Sequence, residues 1–251
     1  MKYLILLFTI FSQASFANKG LEVAKKLDSA NSGFVGETSK MLMTLINARG
    51  DKVTRELTSK IMEMKKDGDK SLSIFHKPKD VAGTKMLTWT YKSKDDDQWL
   101  FLPSLKKVKR IRSNSKSASF MGSEFSYEDL GSQEIEKYTY KFISETPKQS
   151  VIERIPVNKS GYSKQIVTIL KDKNVTAEVK YYNKRNELLK TAKFSDFKEY
   201  DVNGKKFFRA NKIHMTNHLT KKQSVLDWSD RKLGVKLKDN EFKKEGLSEI
   251  F

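Results

Sequence analysis

Between Gly68 and Leu130 four short apolar, aromatic-rich segments alternate with turn signals, and several are apolar on both sides of the chain. Trp99-Leu100-Phe101-Leu102, Met86-Leu87-Thr88-Trp89 and, upstream, Met41-Leu42-Met43 do not alternate cleanly. Successive side chains of a strand point to opposite faces, so a strand with two apolar faces must be covered on both. A curved antiparallel sheet meets that demand when its concave interior covers one face and a helix or lid covers the other. The stretch reads as sheet built for burial, not for catalysis.

The same strand period extends in both directions. Upstream it covers Met41–Ala48 and Val53–Met64, joined through Arg49-Gly50-Asp51, with Lys66-Asp67-Gly68-Asp69 as the next turn. Ser71–Phe75, Lys85–Tyr91, Gln98–Leu102 and Val108–Arg112 follow, punctuated by Pro78, Gly83, the Lys94–Asp97 turn and Pro103. Downstream the theme weakens over Tyr138–Ser144, Val151–Val157, Gln165–Leu170, Ala177–Tyr182, Leu188–Phe197, Lys206–Asn217 and Gln223–Trp228, with Asn203-Gly204 as a strong hairpin signal. Asp239–Lys244 reads as a short turn or cap closing the sheet. Before the first strand, Leu21, Val23, Ala24 and Leu27 recur at near-helical spacing, and Gly33 is a plausible stop, predicting one amphipathic helix over residues 18–34.

At the start, Lys2 precedes the apolar run Leu4–Phe11, and Ser15-Phe16-Ala17 places small residues at the positions a signal peptidase requires. Residues 1–17 therefore read as a secretory signal peptide cleaved after Ala17, too short for a membrane anchor. The expectation is an exported protein whose residues 18–251 form a single domain, since no Pro/Gly/Ser-rich linker or internal repeat divides them. With no cysteine, a lipid on cysteine, a disulfide and a thiolate metal site are all excluded. The net charge of +18 is spread along the chain. A field of that sign favours anionic partners, and for an exported chain without a nucleic-acid motif the natural one is an anionic membrane surface.

Catalytic constellations are scarce. His214 and His218 are four apart, but within a strand that spacing separates them by about 13 Å, so no metal site is expected there. His76 has no evident partner, and Asp95-Asp96-Asp97 lacks the spacing of an ion-wrapping loop and reads as a solvated hairpin tip. Gly122-Ser123 has no nucleophile-elbow context. No cofactor is implied and no enzyme is expected, although a spatial pair of carboxylates is not legible in one sequence. The basic run Lys106, Lys107, Lys109, Arg110 and Arg112 follows the most apolar strand. It fits either a charge-protected edge strand or a docking patch for an acidic membrane or partner protein.

Several of these residues together carry a family resemblance. Ser71-Leu72-Ser73-Ile74-Phe75, Pro78–Thr84, Gln98–Pro103, Lys109-Arg110-Ile111 and above all Phe120–Leu130 resemble the outer-membrane lipoprotein-sorting proteins, a LolA-like group. Tyr181-Tyr182-Asn183 through Leu188-Leu189-Lys190, the Met215-Thr216-Asn217 strand, Phe242 and Leu247 extend the likeness over the mature chain. Glu124 and Asn183 stand where aspartates are more usual, and no cavity arginine that would latch a lid can be placed. The resemblance implies a mainly β (α+β) fold: an incomplete antiparallel β-barrel of about ten or eleven strands, with the N-terminal helix and helical lid segments over an apolar cavity. It further implies a periplasmic carrier in a Gram-negative envelope that moves acyl chains of a lipoprotein or other lipid toward the outer membrane. An inner-membrane transporter, such as one of the RND superfamily that accompanies relatives, and an outer-membrane acceptor would be its partners.

The lipid-binding residues expected on this reading are Met43, Leu45, Met62, Met64, Ile74, Trp89, Trp99 and Phe101 from the doubly apolar strands. Phe120, Met121 and Phe125 join them from the segment expected to fold over the opening. A one-residue error in face would exchange the inward set for the outward one. An envelope adaptor for a transporter or signalling protein, and an enzyme acting on an envelope lipid or glycan, are the competing readings.

Overall fold

A computed structural model describes residues 18–248, so the expected leader lies outside the described residues. Among these, one α-helix, α1, spans residues 18–31 and no helix is long and apolar enough to cross a membrane. Thirteen strands follow: β1 (Gly36–Ile46), β2 (Lys52–Met62), β3 (Lys70–Lys77), β4 (Lys85–Trp89), β5 (Asp97–Leu102), β6 (Lys107–Ile111), β7 (Tyr138–Glu145), β8 (Gln149–Pro156), β9 (Tyr162–Leu170), β10 (Val175–Asn183), β11 (Leu188–Val202), β12 (Lys205–Asn217) and β13 (Gln223–Leu233). They form one antiparallel sheet in the order β6-β5-β4-β3-β2-β1-β13-β12-β11-β10-β9-β8-β7. Every neighbour is a sequence neighbour except at the centre, where the first strand pairs with the last, Met43 opposite Leu226 and Ile46 opposite Gln223. The strand count therefore exceeds the ten or eleven expected, because each weak segment of the second half holds a full strand of its own. The Asn203-Gly204 signal is the turn between β11 and β12, both residues at positive φ (+53° and +80°) as a two-residue hairpin demands.

The doubly apolar strands are covered on both faces. Phe75, Met86 and Leu100 point to one side and join the main core with Phe120, Phe125 and Tyr127. Leu72, Leu87, Trp99 and Phe101 point to the other and pack against Phe242 and Leu247 of the C-terminal segment. That segment, two 3-10 turns over Asp239–Phe242 and Glu245–Ser248, is the outer cover. Trp89 Nε1 donates to the Phe242 carbonyl at 2.8 Å, Lys70 pairs with Asp239 at 2.5 Å, and Lys60 pairs with Glu241. Trp89 and Trp99 meet edge-on at 4.9 Å.

The inner cover is a strap, residues 112–137, that leaves the edge strand β6 and reaches the opposite edge strand β7. It is built of 3-10 turns and one tight reversal, not of the helical lid segments expected. The reversal brings Phe120 N to the Phe125 carbonyl (2.7 Å) and pairs Ser119 with Ser126, with Met121 and Gly122 both at positive φ. Phe120, Phe125 and Tyr127 are not at helical spacing, and an αL pair at the tip precludes a helix through it.

α1 closes the remaining side. Ala24 is buried, Val23 and Leu27 pack against the main core, and Gly20 sits so close to β7 that a Cβ there would lie 2.7 Å from Phe142 N. Its C-terminal carbonyls at Ser29 and Ser32 receive Lys205 Nζ at 2.8 and 2.6 Å, a cation where the helix dipole favours one.

Candidate functional site

The strap fills one end of the concave face and is fixed there by buried polar groups. Lys190 of β11 pairs with Asp129 at 2.6 Å, with only 5% and 4% of the two side chains exposed. Asp129 also receives Tyr162 Oη (2.9 Å) and Ser126 N (2.7 Å), while Lys190 donates a second bond to the Glu124 carbonyl (3.0 Å) and lies over the Tyr162 and Tyr181 rings. Burial and the Asp129 charge raise the Tyr162 phenol well above its usual value. Asn217 donates to the Glu124 side chain at 2.7 Å, and Arg55 donates to the Met121 carbonyl. The Asp95–Asp97 tip, expected to be merely solvated, is a hub of ion pairs instead. Asp96 takes Lys137 at 2.6 Å near the end of the strap, Asp95 lies 3.6 Å from Lys116, and Asp97 pairs with Arg110.

The other end is not filled. A groove of about 990 Å3 opens between α1, the end of the strap and the concave face of the sheet. Its floor is apolar: Ile152 of β8, Val167 of β9, Tyr181 of β10, Ala192 and Phe194 of β11, Ile213 of β12 and Trp228 of β13, with Leu27 of α1 and Phe125 of the strap. Its mouth is charged, with Asp28, Glu63, Asp69, Glu134 and Glu136 among the carboxylates and Lys65 and Lys92 among the cations. Desolvation, with Glu134 and Glu63 nearby, pushes the Asp69 carboxyl up to about 7. Burial and Glu136 raise Asp28 as well. One wall carries three charges, the buried Glu37 between the partly buried Arg231 (3.0 Å) and Arg209 (3.4 Å).

Of the residues expected to touch lipid, only Met64 and Phe125 line this groove. Met43, Phe120, Leu45 and Met121 belong to the main core, the first two fully buried. Trp99 and Phe101, with Met62, Ile74 and Trp89 packed against them, lie on the opposite face beneath the C-terminal cover. The basic run is exposed at the edge of the sheet, Lys106 in the turn before β6, Lys107, Lys109 and Arg110 on it, and Arg112 just after it. The groove residues of β8–β13 were missed because their strands alternate in the ordinary way. The available signal was the weaker theme itself: small or β-branched residues such as Val167 and Ala192 where the first half has aromatics.

No histidine sits with metal-binding company. His214 meets Gln223 at 2.6 Å, His218 meets Thr191 at 2.8 Å and His76 meets Thr58 at 2.9 Å. Among the described residues no group of three or more His, Cys, Asp or Glu side chains is placed to hold a metal ion.

A domain from Vibrio parahaemolyticus assigned to outer membrane lipoprotein sorting is 42% identical over 93% of this chain and 100% of its own, with a TM-score of 0.89. The chain belongs to the outer-membrane lipoprotein-sorting family. A DUF1329 family protein from Desulfovibrio piger is 28% identical over 92% of this chain and 99% of its own, TM-score 0.84. A LolA superfamily protein from Nitrosomonas europaea, 19% identical over 89% of this chain and 97% of its own, shares the fold at a TM-score of 0.69. A family profile described as an uncharacterized protein matches residues 67–249. No curated protein matches the chain. The lipoprotein-sorting members thus share the sheet, and the strap sequence Phe120–Leu130 that carried the resemblance is the segment that plugs it.

Proposed function

We propose that the chain is a non-enzymatic carrier of the bacterial envelope, exported to the periplasm, that holds the acyl chains of a lipoprotein or other envelope lipid in the groove beneath α1. The observation that carries this reading is a groove of about 990 Å3 with an apolar floor that the chain's own side chains do not fill. A site of that size accommodates a lipid-sized molecule, and each methylene leaving water stabilises the complex by about 0.8 kcal/mol. On this reading the sheet is an incomplete barrel and α1 with the end of the strap forms the lid, since both border the opening. The contacts with cargo come from Phe125 and Met64 together with Phe194, Ile213 and Trp228. The exposed basic run on the edge strand β6 supports a role in docking to an anionic membrane or to an acidic face of a donor or acceptor protein.

The test is native mass spectrometry with lipid extraction on mature protein purified gently from a Gram-negative periplasm. A bound acyl lipid that detergent or fatty acid displaces is the expected result. A clean apo mass, with no uptake of a neutral fluorescent acyl probe, overturns the carrier and favours an envelope adaptor, the reading to which the charged mouth of the groove lends weight.

A further inference from the structure

We propose that the filled end of the sheet is a membrane-docking face, where neighbouring hairpin turns insert single apolar side chains into an anionic bilayer and the lysines beside them hold its phosphates. This deepens the docking role given to the basic run of β6 and is independent of what the groove holds.

The strand register sets the turns side by side. β13 begins at Gln223 opposite Ile46, the last residue of β1, so the β12–β13 turn (residues 218–222) stands next to the β1–β2 turn (residues 47–51). Through β2 to β6, the β3–β4 turn (residues 78–84) and the β5–β6 turn (residues 103–106) leave the same end of the sheet. The tip of the strap lies among them, with Arg55 donating to the Met121 carbonyl and Glu124 N donating to Ser224 Oγ at 2.9 Å.

Exposed apolar groups concentrate there. Among the described residues four large apolar side chains are more than half exposed, Val157, Leu105, Val53 and Leu219, and the last three lie in or beside these turns. Each of the three has exposed lysines close in sequence: Lys106 and Lys107 after Leu105, Lys221 and Lys222 after Leu219, and Lys52 before Val53. These five lysines, and Lys79 of the β3–β4 turn, make no ion pair among the described residues. Residues 47–52, 77–84, 103–107 and 218–222 together carry eight lysines and arginines against two carboxylates. The turns at the other end of the same strands, residues 63–69 and 90–96, carry four against five. The positive charge of the whole chain does not account for that contrast within one sheet.

The spacing of the apolar groups selects a bilayer over a protein surface. With strands about 4.8 Å apart, Leu105 stands about 19 Å along the sheet from the β1–β2 turn, and that turn about 10 Å from Leu219. Side chains so separated do not form the contiguous apolar centre of a protein interface. A fluid bilayer needs no such centre: each side chain inserts separately at the boundary of headgroups and acyl chains, and each lysine gains from the negative surface. The turn at residues 63–69 borders the groove from the opposite end, so docking here leaves the mouth of the groove clear of the bilayer.

The experiment is co-sedimentation of the full mature protein with vesicles of phosphatidylcholine alone and of equal parts phosphatidylcholine and phosphatidylglycerol. The expected result is binding to the mixed vesicles only, weakened by salt. Lys221→Gln with Lys222→Gln lowers the affinity about 25-fold, at about fivefold per lysine, and Leu105→Ser with Leu219→Ser lowers it about tenfold. Lys243→Gln with Lys244→Gln removes the same charge from the exposed surface of the C-terminal cover and changes the affinity less than about twofold. Thermal melts report that each variant is folded, and uptake of a neutral acyl probe is unchanged in all three. Equal weakening by the two lysine pairs overturns the face in favour of diffuse attraction to net charge, and binding that ignores the leucine substitutions overturns it as well. No vesicle binding overturns the membrane as partner and leaves an acidic protein surface in its place. No probe uptake by the unaltered protein overturns the carrier reading alone.

Discussion

The two ends of the concave face are made from the same sheet yet are finished differently. At one end the chain turns back on itself and inserts Phe120, Phe125 and Tyr127 between the strands, leaving Phe75 and Met86 with no access to solvent worth the name. At the other end nothing is inserted, and Phe194, Ile213 and Trp228 keep a half-buried surface facing about 990 Å3 of open groove. The strands do not decide which outcome occurs. The difference lies in where the strap runs, and the strap is placed by its polar anchors: Asp129 on Lys190, Glu124 on Asn217, Lys137 on Asp96. A groove in this fold is the part of the interior that the strap does not reach.

The sharpest way to break the contrast is to release the filled end. Lys190→Met strands a buried Asp129 and is expected to cost about 3–5 kcal/mol, measured by urea unfolding. A loss under about 1 kcal/mol would show that the latch does not hold the strap. Next, one substitution made at both ends compares them directly. Phe120→Ala in the filled end should cost about 3–4 kcal/mol, whereas Phe194→Ala on the groove wall should cost less, about 1–2 kcal/mol, because its ring is only partly buried. Equal losses would mean that the groove is closed in solution. Ala210→Trp, which projects an indole from the groove lining of β12, is expected to abolish acyl-probe uptake while changing stability by about 1 kcal/mol. Undiminished uptake would move the site elsewhere.

The smallest effect is a pH dependence carried at the open end by Asp69. Asp69 holds its proton to about pH 7 in the folded protein against an ordinary 3.8. The folded state therefore binds the proton more tightly than the unfolded state, and stability falls as pH rises from about 4 through about 7. Asp69→Asn keeps an acceptor for Met64 N and removes the charge. It should raise stability at pH 8 by an amount on the order of 1 kcal/mol after solvent screening, and leave it unchanged at pH 4. A gain of equal size at both pH values would assign the effect to something other than the carboxylate's ionisation.

What the sequence made legible follows the same division. Alternation and turn residues located the strands to within a few positions, and the requirement for two covers on Trp99-Leu100-Phe101 is met by the strap on one face and Phe242 with Leu247 on the other. Which face is which was not legible, because a strand apolar on both sides satisfies the same pattern in either register. Trp99 and Phe101, expected in the cavity, therefore lie outside it, and Leu100 lies within the core. The groove itself was less legible still. Arg209 and Arg231 lie on consecutive strands, but Glu37 is 172 residues from Arg209 and only the pairing of β1 with β13 brings it to them.

That central pairing also constrains how the chain reaches its structure. β1 (Gly36–Ile46) can acquire its second neighbour only when β13 (Gln223–Leu233) is available, so the seam between the two halves has the longest sequence separation of any strand pair in the sheet. The two halves are stacks of consecutive hairpins, which form early because their contacts are local, while the seam waits on the last strand. In the interval β1 presents a bare edge of unpaired backbone groups, a template for any passing strand. A chain ending before Gln223 keeps that edge permanently, so such a truncation associates with copies of itself rather than folding as a smaller version of the protein.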